Sequence, residues 1–258
     1  MRAGSCAMPV SCNPPDQATT EGHLWGGRLR YAQPGTGFRS GIEPVLLAAS
    51  IPARERDHVL EAGAGAGAAL LCLRARVPGL QAVGVEVNGV LARLAAANAQ
   101  ANGFDDIRFI EDRIETAVLP GRFDHALANP PYHASGGTES PLAARETAKR
   151  GSKTLIRTWI GRLSAHLRAG GSLTLIVPPG LIPDCLAAMT EAQSPCTTVF
   201  PLWPKAGRPA RLVLLRGIKQ ARAPTRLMPG LVLHQPDGSF TDAAQAILRD
   251  GASLQIDL

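Results

Sequence analysis

Aromatic side chains are scarce: the 258 residues hold six Phe, three Trp and two Tyr. A module that binds nucleic acid by stacking successive bases needs more. Cysteines are few, odd in number (Cys6, Cys12, Cys72, Cys185, Cys196) and never spaced C-x-x-C. That excludes a disulfide framework and the common zinc motifs. Cys72 and Cys185 lie among apolar neighbours and read as core, so reduced thiols and a cytoplasmic protein are expected. No apolar run reaches membrane-spanning length, and the first residues lack the continuous apolar stretch of a signal peptide. No membrane partner is expected. The six histidines show no ligand spacing. His125 and His133 flank one motif from opposite ends of a strand and turn, and no metal site is expected.

Charge is abundant but uneven. The formal net charge is +6 and the sequence pI is about 9.4. Between Pro141 and Gly171 stand Arg145, Lys149, Arg150, Lys153, Arg157, Arg162 and Arg168 against a single acid, Glu146. Between Lys205 and Arg226 stand Lys205, Arg208, Arg211, Arg216, Lys219, Arg222 and Arg226 against none. The windows carry +6 and +7, which leaves the remainder at −7. Such segregation suits a polyanionic partner.

Residues 1–22 are rich in Pro, Ser and Thr without periodicity and read as a disordered extension. Residues 23–57 follow as a short hairpin within Gly26–Phe38 and a helix from about Ile42 to Ser50, capped by Ser40. Strands are expected at 58–62, 81–87, 107–112, 123–129 and 172–178. Helices are expected at 66–76, 89–103, 153–167 and 183–191, and a closing strand pair at 197–203 and 210–219. This alternation predicts a parallel sheet with helices on both faces and an antiparallel edge. Residues 58–220 form that core. Residues 221–258 are a tail with a Pro-Asp-Gly turn and a short helix between Thr241 and Gly251.

Gly63, Gly65 and Gly67 lie between a strand and a helix, where glycines permit a tight turn and close approach of backbone N–H groups to a ligand. The spacing is not the G-x-G-x-x-G of pyrophosphate binders, and no Walker lysine follows. Glu86 ends the second strand, 25 residues after Glu61. A carboxylate there can accept from both hydroxyls of a ribose. Asp112 ends the third strand, where it can meet an adenine amino group.

Glycines framed by three strand-end acids resemble the class I S-adenosylmethionine-dependent methyltransferases. The resemblance implies a Rossmann-like α/β fold with a mostly parallel, seven-stranded sheet and S-adenosylmethionine as cofactor. It implies that Gly63, Gly65 and Gly67 pass under the methionine part of the cofactor, that Glu61 sits near its amino group and that Glu86 holds its ribose.

In such folds the fourth strand ends beside the transferable methyl, and here it ends in Asn129-Pro130-Pro131-Tyr132. That matches the (N/D/S)-P-P-(Y/F) motif of methyltransferases acting on planar exocyclic amines. Such amines are poor nucleophiles because the lone pair is delocalised. The Asn129 side-chain oxygen and the Pro130 carbonyl can bind the two amine hydrogens and aim the lone pair. The prolines fix those acceptors in advance, and Tyr132 can stack on the substrate ring. A second Asn-Pro-Pro, at residues 13–15, follows no strand and precedes Asp16, so it reads as a turn.

The stretch from Leu29 to Ser50, with Gln33-Pro34 and Gly37-Phe38-Arg39, resembles a bacterial family that includes the tRNA(Val) adenine-N(6) methyltransferases. That implies adenine in tRNA, or another structured RNA, as substrate, with Phe38 or its neighbours over the cofactor. Lys149, Arg150 and Lys153, next to the motif in a glycine-containing flap, would hold phosphates. Other acceptors stay open: a glutamine amide of a release factor, a guanine amine of ribosomal RNA, or a small-molecule amine. Both a monomer and a homodimer fit.

Overall fold

Short runs that are apolar on both sides, such as HVLEA and AVGVE, can only be central strands of a sheet covered on both faces. The computed structural model of the chain describes residues 19–35, 41–131 and 142–257, with backbone alone for 142–153. Its elements run β1 (Thr19–Leu24), β2 (Leu29–Pro34), α1 (Glu43–Ser50), β3 (His58–Ala62), α2 (Ala68–Arg76), β4 (Gln81–Glu86), α3 (Gly89–Ala101), β5 (Ile107–Glu111) and β6 (Phe123–Ala128). Then come α4 (Leu142–Ala165), β7 (Leu167–Val177), α5 (Ile182–Glu191), β8 (Cys196–Lys205), β9 (Leu212–Ile218), β10 (Arg226–Leu227), β11 (Leu231–His234) and α6 (Asp242–Leu248).

The main sheet has nine strands, not seven. Seven form the series β5-β4-β3-β6-β7-β9-β8, and the short β10 and β11 both pair with the outer side of β8. All are parallel except β9, which runs antiparallel between β7 and β8. The two extra strands come from residues set apart in the sequence as a tail. Four residues or fewer give too weak an alternation to read as strands. One core layer lies under α1, α2 and α6, and the other under α4 and α5.

Several boundaries differ from the expected ones for local reasons. The hairpin is β1–β2, and it turns at Trp25–Gly27, where Gly26 and Gly27 take positive φ. Its first strand therefore begins at Thr19, inside the stretch read as a disordered extension. The helix before β7 begins at Leu142 rather than near Lys153. The run from Leu142 to Arg150 is made largely of strong helix formers, which carry the helix through Gly151. Strand β7 starts at Leu167 and passes Gly170 and Gly171, which were expected to end the helix, by shifting register against β6. Ser40, Phe38 and residues 1–18 lie outside the described residues.

The second basic window is split by the fold. Arg216 is 2% exposed, in the sheet. Its guanidinium donates to the Asp257 carboxylate, to the Ser50 carbonyl and to Thr174 Oγ1. Asp257 also accepts from the Thr198 hydroxyl at 2.5 Å. The last residues thus strap across β8 and β9, with Ile256 buried. Lys219 Nζ donates to Ser164 Oγ and the Ala192 carbonyl. In the first window, Arg157 pairs with Glu191, Arg168 with Asp124, and Arg162 donates to the carbonyls of Ile114 and Ala117. Much of the basic excess is therefore structural rather than offered to a partner.

Candidate active site

The carboxyl ends of the parallel strands carry most of the sequence-derived candidates that lie among the described residues. Gly63, Gly65 and Gly67 all have positive φ, at 68°, 56° and 90°, a region that penalises any side chain. Their surroundings differ. A Cβ on Gly63 would stand 2.7 Å from Cη2 of Trp159, and one on Gly67 would stand 3.0 Å from the Phe109 ring. A Cβ on Gly65 would meet nothing within 4 Å. The first and third glycines are thus required by protein packing, and the middle one faces open space at the strand ends.

Glu86 is buried at the end of β4. One carboxylate oxygen accepts from the Gly65 N–H and the other from the Asn88 N–H, both at 2.8 Å. Asn88 also caps α3, its Oδ1 accepting from the N–H groups of Val90 and Leu91. The Glu86 carboxylate is thereby held in one orientation between the glycine turn and the start of α3. Val87 and Val90 beside it are 63% and 38% exposed. They leave an apolar surface next to the carboxylate. Neither valine was among the sequence-derived candidates, although a valine directly after a strand-end acid is a visible signal.

Glu61, at the end of β3, is 3% exposed, and its Oε2 has no partner among the described residues. Burial, together with the charge of Glu86, raises its pKa well above the usual carboxylate value. Asp112 sits just beyond β5, half-buried, with Oδ1 accepting from the Arg113 N–H and the Thr116 hydroxyl. Its neighbour Glu111 is turned outward to Arg93.

Asn129 follows β6, the strand beside β3. Its Oδ1 is buried and has no partner among the described residues. Pro130 is buried behind it and Pro131 is exposed. Tyr132 and His133 lie outside the described residues. His125 is elsewhere on β6, bonded to Ser172 Oγ at 2.7 Å and Asp57 Oδ2 at 3.1 Å. Burial holds its pKa below the ordinary histidine value. Lys149, Arg150 and Lys153 belong to the first half of α4, which starts from the strand-end edge; their side chains lie outside the described residues.

Two further elements close on this edge. Trp159 of α4 lies over Gly63, and its indole N–H is buried with no partner among the described residues. Strand β2 is tied to α3 by Asn98 and Asn102, which stand one helical turn apart. Asn98 Oδ1 accepts from the Ala32 N–H, and its amide donates to the carbonyls of Ala32 and of Ala66 in the glycine turn. Asn102 repeats the pattern on Arg30. Gln33, next along β2, has a buried Oε1 with no partner among the described residues. Nothing in residues 29–34 alone pointed to this docking; two asparagines four apart on a buried helix face are its sequence mark. Unpartnered buried oxygens on Glu61, Asn129 and Gln33 are costly unless a ligand meets them.

Two grooves of about 450 Å³ each lie elsewhere. One is lined by His58, Gln81, Asp105 and Phe123 at the amino ends of the strands, and the other adjoins it at Val83, Arg108 and Pro120. Neither touches a residue discussed above as a ligand group.

A parallel sheet with a glycine turn, a clamped strand-end acid and unsatisfied polar groups at its carboxyl edge defines a Rossmann-like protein that binds a nucleoside-type cofactor. Comparison with known proteins fixes the kind. Residues 43–183 match the model of the methyltransferase small domain family, and the chain belongs to that family. A tRNA1(Val) (adenine(37)-N6)-methyltransferase of Aeromonas hydrophila is 30% identical over 213 residues, 80% of this chain and 86% of that protein. A release factor glutamine methyltransferase of Deinococcus radiodurans is 29% identical over 145 residues, 54% of this chain and 51% of that one. Among solved structures, an Agrobacterium tumefaciens protein described as a predicted O-methyltransferase superposes with a TM-score of 0.68. It is 23% identical, covering 83% of this chain and 99% of the other, and it shows the shared fold. The chain is an S-adenosylmethionine-dependent methyltransferase. The strand-end edge fits that cofactor: Glu86 and Glu61 offer carboxylates, and the middle glycine faces free space. Among the described residues no helix is long and apolar enough to cross a membrane.

Proposed function

We propose that the enzyme methylates the exocyclic N(6) of an adenine in a single-stranded loop of tRNA. The observation that carries this is the Oδ1 of Asn129, just past the end of β6, buried and without a partner among the described residues. An acceptor oxygen so placed has an amine hydrogen as its natural partner, and the Pro130 carbonyl is the second acceptor. Together they hold a planar amine with its lone pair out of plane. The relatives described above modify an adenine N(6) in tRNA or a glutamine, both planar nitrogen acceptors.

When bound, S-adenosylmethionine supplies an electrophilic methyl on sulfur. Glu86 takes the ribose hydroxyls, because the lone pairs not used by Gly65 and Asn88 remain available. Val87 and Val90 cover the adenine, and Asp112 meets its amino group. Gly65 lets the chain approach the methionine part, and Glu61 receives the ammonium. Tyr132 stacks on the target base, which has to leave its own stack to arrive. The positioned amine nitrogen would take the methyl as the methyl–sulfur bond breaks, S-adenosylhomocysteine would leave, and the surplus amine proton would pass to solvent, with alignment rather than a strong base supplying much of the rate.

Asn129→Ala is expected to lower turnover by ~10²–10³-fold, the cost of removing one preorganised group, while cofactor affinity read by calorimetry stays essentially unchanged. Labelled cofactor offered to tRNA, ribosomal RNA, DNA and a protein fraction, followed by nucleoside analysis, tests the acceptor. N(6)-methyladenosine in tRNA supports the reading. Label in protein moves it to glutamine, and an Asn129→Ala variant that turns over within about tenfold of wild type removes the mechanism.

A further inference from the structure

The sheet topology sorts the second basic window into two ends. Strand β8 is parallel to β7, so its carboxyl end lies on the same edge as Asn129. The β8–β9 turn, residues 206–211, therefore stands on the active-site edge. The end of β9 lies on the opposite edge, beside Gly171 and Gln193, to which Lys219 and Gln220 bond. Arg222 is exposed there.

The turn is a fastened pedestal. Trp203 Nε1 donates to the Pro229 carbonyl at 3.0 Å, the Pro204 carbonyl meets His234 Nδ1 at 3.1 Å, and Lys205 Nζ donates to the Pro236 carbonyl at 2.8 Å. Lys205 also lies in the field of Asp237, whose pKa it helps to lower after the bonds from Ser239. Beyond these anchors the tip is exposed, and Arg208 and Arg211 point from it with no carboxylate partner among the described residues. Gly207, at φ 70°, and Pro209 set the tip's shape. The register runs Ala128↔Leu175 and Leu175↔Leu215. Arg211 thus lies two strands across and three residues outward from Asn129, about 14 Å by standard spacings. That is within reach of the backbone of a nucleotide adjoining one placed at Asn129.

We propose that Arg208 and Arg211 bind the phosphates of single-stranded RNA that flank the target base; this rests on the RNA reading above. Arg222 shares their window and charge but not their edge, and serves as the internal control. Affinity of a labelled RNA hairpin with an unpaired loop is measured against salt for wild type, the double variant Arg208→Gln/Arg211→Gln, and Arg222→Gln. The double variant is expected to bind on the order of tenfold more weakly at low salt. Its log–log salt slope is expected to fall by about 1.4, ~0.7 for each single-strand phosphate that the arginines no longer neutralise. Arg222→Gln and cofactor affinity stay unchanged, and KM for RNA rises without loss of kcat. If wild type methylates RNA but the double variant binds it like Arg222→Gln, the surface assignment falls and the function stands. If wild type neither binds nor methylates RNA, both fall.

Discussion

Gly63→Ala tests whether the glycine turn is fixed by protein packing rather than by the cofactor alone. Gly63 has φ 68°, and a methyl there would sit 2.7 Å from Cη2 and 3.0 Å from Cζ3 of Trp159. Left-handed backbone costs an alanine about 1–2 kcal/mol. The approach is roughly 1 Å inside normal carbon–carbon separation, which is about 3.5–4.0 Å. The ring cannot withdraw freely, because Ile156 and Ile160 on the same helix are each 1% exposed in the core. Overpacking of this kind costs about 1–3 kcal/mol, so the whole substitution should cost about 2–5 kcal/mol. Trp159→Leu removes the overlapping ring. In that background Gly63→Ala should cost only the backbone strain, about 1–2 kcal/mol. Urea denaturation of the four proteins gives the coupling energy directly. Gly65→Ala supplies the contrast: with open space around its Cβ it should lose only the strain in stability, yet weaken S-adenosylmethionine binding more than tenfold. Additive behaviour of Gly63→Ala and Trp159→Leu would refute the packing argument, and unchanged cofactor affinity in Gly65→Ala would refute the placement of the ligand.

Two other outcomes follow from buried charge. Burial and the nearby Glu86 raise the pKa of Glu61, so the folded protein without ligand binds more protons than the unfolded chain between about 4.5 and the raised value. Stability should therefore fall as pH rises through that window, and Glu61→Gln should melt higher than wild type at neutral pH. An ammonium bound beside Glu61 favours its ionised form, so cofactor affinity should rise with pH over the same window and go flat in Glu61→Gln; a pH-independent wild type would place the ammonium elsewhere. Asp257→Ala leaves the Arg216 guanidinium buried with only Thr174 and the Ser50 carbonyl. Breaking a buried pair costs ~3–5 kcal/mol. Because the Asp257 side chain is 37% exposed, about 3 kcal/mol is expected by urea denaturation, and a loss below about 1 kcal/mol would mean that the strap is not closed in solution.

The core of the fold was legible because parallel strands leave an unmistakable mark. Buried on both faces, β3, β4, β6 and β7 read as apolar runs, and each ends within two residues of a glycine, proline or capping residue. The cap at Thr241, accepting from the Ala244 N–H, was visible for the same reason. What escaped were pairings that depend on a partner rather than on a local pattern. Strand β1 has a mostly exposed sequence and exists because β2 is pinned by Asn98 and Asn102. Strands β10 and β11 are too short to show a period and are held by β8.

The site divides along the same line. Glu61, Gly65, Glu86 and Asn129 were readable as candidates because each stands at or just past a strand end, where a polar residue or a glycine breaks an apolar run. Trp159 was not, since an aromatic residue on an amphipathic helix reads as core; only the space it takes from Gly63 gives it away. Charge was the least legible feature. In sequence, Arg216, Lys219, Arg208 and Arg211 form one basic window, yet the first two are spent inside the protein and the last two are exposed on the active-site edge. A run of like charge in sequence says that a polyanion is possible. Strand direction decides which of those charges it can touch, because the two ends of a strand carry their charges to opposite edges of the sheet.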